Sequence, residues 1–188
     1  MKVTLLMALT ADGKIAKDDA HLTDWTESED KKLFKALTQK AGVVIMGSKT
    51  YDTLDRPLPG RKVVILTRKK GRVSPWDNVV FTNLPPAELL SSLEKEGYGH
   101  AVVSGGAVIN ALFAGNGLVD DVILTYSPRF FGTGVPLFSE EIMMNLELLE
   151  VRRAGEQLIY AHYRVLKQDS SGGCALLHPP VGADNVFE

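Results

Sequence analysis

Asp30 is a carboxylate placed where an apolar residue would be expected. The segment Trp25-Thr-Glu-Ser-Glu-Asp30-Lys-Lys-Leu-Phe34 predicts a helix. Thr26 followed three residues later by Glu29 has the form of a capping box, so the helix starts near Glu27 and runs to about Lys40. Its apolar stripe is Leu33, Phe34 and Leu37, with Lys31, Lys32 and Lys35 on the other side. At about 100° per residue, Asp30 projects between Leu33 and Phe34 and about 20° from Leu37. An unpaired buried charge is costly. A carboxylate on this face therefore predicts a site acid; the plainer alternative is that it only favours the positive helix N-terminus.

Two strand-to-helix junctions supply a second kind of chemistry. VVIM leads into Gly47-Ser48-Lys49-Thr50, and HAVVS, ending at Ser104, leads into Gly105-Gly106 before AVINALF. Each sets free backbone N–H groups at a helix start, with glycine allowing close approach, which suits phosphate. Residues 42–50 imitate a P-loop, but VVIM between the glycines is a strand and the lysine is displaced by one residue. The run RKVVILTRKKGR, 61–72, holds six basic residues and no acidic one. Thr67, Arg68 and Lys69 follow directly on a buried strand, and with Ser48 and Lys49 they predict a seat for a 2′-phosphate. That favours NADPH over NADH. The patch lacks aromatic partners for stacking bases, which argues against nucleic acid.

His21, His100, His162 and His178 are scattered without metal-ligand spacing, so no metal is expected. No Ser-His-Asp or Cys-His set emerges. Thr125, in DVILTYSP, is a polar residue in an apolar strand; a buried threonine often satisfies itself on nearby backbone.

The elements that must hold these residues read as an α/β chain. Strand-like runs fall at 2–9, 43–46, 62–67, 78–81, 100–104 and 119–126, and helical stretches at 27–40, 86–96 and 106–115. Pro85 and Pro86 mark a helix start. The alternation implies a mainly parallel sheet with helices on both faces. Runs at 146–151 and 157–166 predict an antiparallel C-terminal edge. Residues 1–167 read as one domain and 168–188 as an irregular extension, broken by Ser, Gly and Pro clusters, that lies on the surface or is mobile. Hydrophobic content of 45% and a net charge of −2 argue for a folded protein with no bulk attraction to nucleic acid or membrane. The single cysteine, Cys174, rules out an internal disulfide and fits a reducing, cytoplasmic setting. MKVTLLMALTA reads as a first strand, because ADG follows where a cleavage site would need small residues. No run approaches the ~20 apolar residues of a membrane span.

Trp25, Asp30, Phe34, VIMGSKT at 44–50 and RPLPGR at 56–61 together resemble the dihydrofolate reductases over the first 70 residues. The resemblance implies the three-layer fold of that family and NADPH-dependent reduction of 7,8-dihydrofolate to tetrahydrofolate, within tetrahydrofolate biosynthesis and one-carbon metabolism. Asp30 would be the sole ionisable side chain at the pterin, bonding its 2-amino group and ring N3 during hydride transfer. Leu6, Met7, Phe34, Leu54 and Leu58 would wall the substrate. Arg61 would fork onto its α-carboxylate, and Thr125 would support Asp30. Ala8, Ile15, the turn Gly47, Ser48, Lys49 and Thr50, the strand end Leu66, Thr67 and Arg68, and Ser104, Gly105, Gly106, Ala107, Val108 and Ile109 would contact NADPH. Residues 10–25 would form a loop closing over the nicotinamide.

The second half departs from that pattern. Ser104 replaces a large aliphatic residue, and Asn110 stands where many members have a tyrosine. ADGKIA, SGGAVINALF, GLVDDVILTYSP and GTGVPLF are similar to the reductase domain of riboflavin synthesis, which shares the fold. The alternative expectation is accordingly reduction of a ribosylamino-pyrimidine 5′-phosphate. A non-enzymatic nucleotide-binding module would keep the glycine turns but would not need Asp30. Oligomeric state is not legible.

Overall fold

A computed structural model describes residues 1–18, 20–21, 24–54 and 58–167. The expectations for 168–188, Cys174 and His178 among them, lie outside these residues.

Among the described residues, ten strands and four helices follow in the order β1 (Lys2–Thr10), β2 (Lys14–Ala16), α1 (Ser28–Ala41), β3 (Val43–Gly47), α2 (Ser48–Asp52), β4 (Lys62–Leu66), β5 (Val79–Thr82), α3 (Pro86–Lys95), β6 (His100–Val103), α4 (Ala107–Gly115), β7 (Asp121–Ser127), β8 (Val135–Pro136), β9 (Asn145–Ala154) and β10 (Leu158–Leu166). Eight strands form one sheet in the order β5-β4-β3-β6-β1-β7-β10-β9, and β2 pairs with β8 apart from it. Pairing is parallel from β5 to β7 and antiparallel at β7–β10 and β10–β9. The chain thus has the mainly parallel α/β sheet with an antiparallel C-terminal edge.

Burial on both faces explains the unbroken apolar runs of the central strands. Val43, Ile45, Val64, Val103 and Leu5 pack on one face with Leu93 of α3 and Phe113 of α4. Leu6, Val102 and Ile123 face the other way, against Leu33, Phe34 and Leu37 of α1. α1 ends at Gly42, whose φ of 81° returns its N–H to Thr38 O, and β3 begins at the next residue.

Local differences from the sequence reading have physical reasons. α1 begins at Ser28 with Glu27 as N-cap and no side-chain cap bond, so no capping box forms. Thr26 instead hydrogen-bonds Asp30, and Ser28 Oγ donates to Glu29 Oε2 at 2.9 Å. β2 and β8 were not expected, and α2 only as a helix start after Gly47 without an end; at three, two and five residues they are too short to show a period. β9 is ten residues long and exposed on both sides apart from Ala154, as suits an edge strand rich in charge.

Candidate functional site

The carboxyl ends of the parallel strands open into one cavity of about 1590 Å³. Single-ligand pockets span roughly 300–1,000 Å³, so this one has room for two molecules side by side.

Its first half is built from the two glycine junctions. Gly47 N donates to Gly105 O at 2.8 Å, which brings the start of α2 against the start of α4. Both helices start on a glycine N-cap without a side-chain cap. Their first N–H groups have no intrahelical acceptor, an arrangement that suits an anion. Gly105 sits at φ 91°, and a Cβ there would meet Met7 Cε at 3.2 Å. A Cβ on Gly106 would meet Thr50 Oγ1 at 3.3 Å, and one on Gly47 would meet Ile109 Cγ1 at 2.9 Å. The glycines thus leave a backbone-lined cradle that side chains would fill. Ala8, Ile15, Gly47, Ser48, Lys49, Thr50, Leu66, Thr67, Arg68 and residues 104–109 all line it. The basic run divides: Lys62 pairs with Glu96, Arg72 grips Asp52 and covers Phe81, and Arg68 is left at the cavity.

The second half lies under α1. Leu6, Met7, Phe34, Leu54 and Leu58 line it, with Asp30 among them. Thr125, 1% exposed, lies behind the wall and donates from Oγ1 to Asp30 Oδ1 at 2.6 Å. It serves the acid, not its own backbone. Asp30 is held above the usual carboxylate range, chiefly by burial; the hydrogen bonds from Thr125 and Thr26 oppose this, and the charge of Glu27 adds to it. Asp18 and Asp24 also line the cavity but are exposed.

Two placements correct the sequence reading. Arg61, expected at the pocket rim, is 6% exposed and fixed in the wall. Its Nη1 donates to Lys35 O at 3.3 Å and to Thr38 Oγ1, while Nε is buried without a hydrogen-bond partner among the described residues. The desolvated guanidinium clamps α1 to the start of β4. Lys31, Lys32 and Lys35, expected on the far side of α1, line the cavity as well as reaching solvent, because the cavity wraps past the helix edge. Sequence reasoning also missed Thr26 as a partner of Asp30, having assigned its hydroxyl to a cap. The expectation that residues 10–25 close over the cavity meets a wall of Ile15, Ala16, Asp18, His21, Asp24 and Trp25; residues 19, 22 and 23 lie outside the description. Asn110, fully buried, donates from Nδ2 to Leu137 O at 2.9 Å and ties α4 to the segment after β8.

Fold and cavity define an α/β protein with one large crevice at the carboxyl edge of its sheet. The chain belongs to the RibD C-terminal domain family, which matches residues 1–160. Among solved structures it is similar to a putative riboflavin biosynthesis protein from Shewanella sp. PV-4, with a TM-score of 0.75 and 22% identity over 89% of this chain and 100% of that one. It is also similar to a diaminohydroxyphosphoribosylaminopyrimidine deaminase/5-amino-6-(5-phosphoribosylamino)uracil reductase from Thermotoga maritima, with a TM-score of 0.71 and 17% identity over 88% of this chain and 56% of that one. Dihydrofolate reductase type 8 of Escherichia coli is 33% identical over 131 residues, 67% of this chain and 74% of that one.

The expected reduction of dihydrofolate, with its folate and one-carbon setting, is overturned by the family match and these riboflavin-type neighbours. The residues that carried it form one wall of the cavity within the first 70 positions, while the family match spans nearly the whole sheet. Among the described residues no helix is long and apolar enough to cross a membrane.

Proposed function

We propose that the chain is an NADPH-dependent reductase of a ribosylamino-pyrimidine 5′-phosphate, a small-molecule oxidoreductase of the riboflavin-pathway type. The observation that carries this reading is a large cavity with unlike halves: a backbone cradle at the start of α4 and an anchored carboxyl under α1. The cradle fits a dinucleotide, because helix-start N–H groups without intrahelical acceptors border the space that the glycines leave for a pyrophosphate. Ser48, Lys49, Thr67 and Arg68 would take the 2′-phosphate. Ala8, Ile15 and residues 104–109 would hold the remainder of NADPH, which when bound supplies a hydride.

On the other side, the apolar wall of Leu6, Phe34, Leu54 and Leu58 suits a flat heterocycle, and Lys32 and Lys35 offer cationic partners for a phosphate. The one carbon of a ribosylamine at the aldehyde oxidation level is C1′. Reduction there forms a C1′–H bond and breaks the bond to the ring oxygen, which takes a proton as the sugar opens to a ribityl chain. Asp30 is the residue assigned to hold that proton. Burial raises its proton affinity, the direction a proton donor needs. Thr125 fixes the carboxyl and Arg61 fixes the helix that carries it.

The test is NADPH oxidation followed spectrophotometrically with the ribosylamino-pyrimidine phosphate, with dihydrofolate, and with no substrate. Oxidation with the pyrimidine alone is expected. Its absence, with NADPH bound, would overturn the reading.

A further inference from the structure

The hairpin of β9 and β10 has two unlike faces. Residues directly opposite one another across an antiparallel pair share a face. On one face stand the pairs Tyr160–Arg152, His162–Glu150 and Arg164–Glu147. Its charges satisfy each other. Arg152 Nε donates to Glu150 Oε1 at 2.8 Å with its guanidinium 4.3 Å from the Tyr160 ring centroid, and Arg164 Nη1 donates to Glu147 Oε2 at 2.8 Å. On the other face Leu146, Leu148, Val151 and Arg153 stand opposite Val165, Tyr163, Ala161 and Ile159. A register shift beside Tyr163 absorbs Leu149, which keeps Leu148 and Val151 on one face although they are three apart. Tyr163 and Val165 pack on the core, but Leu146, Leu148, Val151 and Ile159 are between 40% and 60% exposed. Antiparallel sheets turn their apolar side inward and their polar side to water. Here an apolar side lies open.

We propose that this face is the seat of a second copy of the chain, packed face to face about a twofold axis with the two β9 strands antiparallel. A strip of leucine, valine and isoleucine is matched by another of its kind, which isologous packing supplies. Charge sets the direction. Arg153 is the one charged residue on the apolar face of the hairpin, and it makes no ion pair among the described residues. Glu140 and Glu141 stand exposed just before the opposite end of β9, likewise without an ion pair among the described residues. Antiparallel packing brings Arg153 of each copy to the acidic end of the other, whereas parallel packing would set arginine against arginine. Ten residues of strand and two strand widths give a face of roughly 30 Å by 10 Å. That is less than the ~800 Å² per partner of a standard interface, so the dimer is weak and reversible. None of these residues lines the cavity, and the proposal stands apart from the reductase reading.

Sedimentation velocity of the full chain from ~1 to ~100 μM tests this directly. The weight-average mass is expected to rise with concentration from 20.5 kDa towards twice that value and no further. Leu148→Asp, at an exposed position, should stay at the monomer mass throughout and melt as wild type does. Arg153→Glu should weaken the dimer by on the order of tenfold, and adding Glu140→Arg and Glu141→Arg should restore it. Should Leu148→Asp fail to fold, Arg153→Glu and its charge-reversed companion carry the same test. A wild type still monomeric at ~100 μM would overturn the proposal; that is the result if residues 168–188 or a different protein occupy the face. Association unchanged in the variants, or growth beyond two copies, would overturn it as well.

Discussion

Gly47→Ala tests the junction on which both helix starts depend. The backbone at Gly47 has φ −80° and ψ 158°, which any residue adopts, so the substitution carries no backbone strain. On that ground alone, replacing glycine by alanine would stabilise by ~0.4–1 kcal/mol through the unfolded chain. The new Cβ, however, would stand 2.9 Å from Ile109 Cγ1 and 3.7 Å from its Cδ1. Ile109 is 9% exposed, and its β-branched side chain is stiff at χ1, so Cγ1 cannot swing aside cheaply. Overpacking of this kind costs ~1–3 kcal/mol and outweighs the entropic gain. In a domain of this size each kcal/mol lowers Tm by about 2–4 °C. Relief through a shift of α4 would move the N–H groups at Ala107 and Val108, so NADPH should also bind more weakly. Ile109→Ala alone should cost ~2–5 kcal/mol. The double variant removes the clashing atom and should cost no more than Ile109→Ala alone, a coupling of ~1–3 kcal/mol in denaturant unfolding at constant m-value. Additivity within ~0.5 kcal/mol would refute the packing argument.

Asp30→Asn should fold and lose ~10²–10⁴ in turnover, measured as NADPH oxidation with the pyrimidine phosphate, because the amide has no proton to give. The wild-type rate should fall as pH rises through the raised Asp30 pKa, and the residual rate of the variant should be flat there. Stability has the same sign: the folded state holds this proton more tightly, so the benefit is full below the unfolded carboxylate pKa of ~3.9 and lost as pH rises through the folded value. Asp30→Asn should therefore melt higher than wild type only above that window. Arg61→Met gives up the bonds to Lys35 O and Thr38 Oγ1 and should cost ~1–3 kcal/mol in thermal unfolding; a change within ~0.5 kcal/mol would mark it as a surface charge. Arg68→Ala should weaken NADPH by roughly 10–10²-fold in titration and leave NADH unaffected, if it bonds the 2′-phosphate.

Continuous apolar runs were the legible part of this fold. VVIMG and KVVIL read as buried strands because both of their faces are covered. The glycine junctions were legible because each glycine sits where a Cβ has no room or where φ is positive. Capping was misread, since α1 starts at Ser28 and the Thr26 hydroxyl serves the Asp30 carboxyl instead of a backbone N–H. Arg61 illustrates a deeper limit. A basic residue at a strand start gives no sign of whether a helix will later cover it, and here the C-terminal half of α1 does. The substrate was misread for a related reason: an acid amid leucine and phenylalanine describes a wall that accepts many flat heterocycles, and the distinguishing features lay in the other half of the chain.

The strand order has a consequence for how the protein is made. β1 lies between β6 and β7, with Lys2 beside His100 and Thr4 beside Asp121. The first strand synthesised therefore waits for two of the later ones, while β3 and β4 find each other early. Asp30 and the threonine that holds it are 95 residues apart. At ~5–20 residues per second that is roughly 5–20 s of translation during which the acid is chain-borne but has no seat. Until β6 emerges, the nascent chain carries the apolar strand β1 with neither neighbour in place, the kind of segment that chaperones engage. A chain arrested before β7 would thus lack the hydroxyl that seats Asp30, and the docking of β7 on β1 and the seating of the acid become one event.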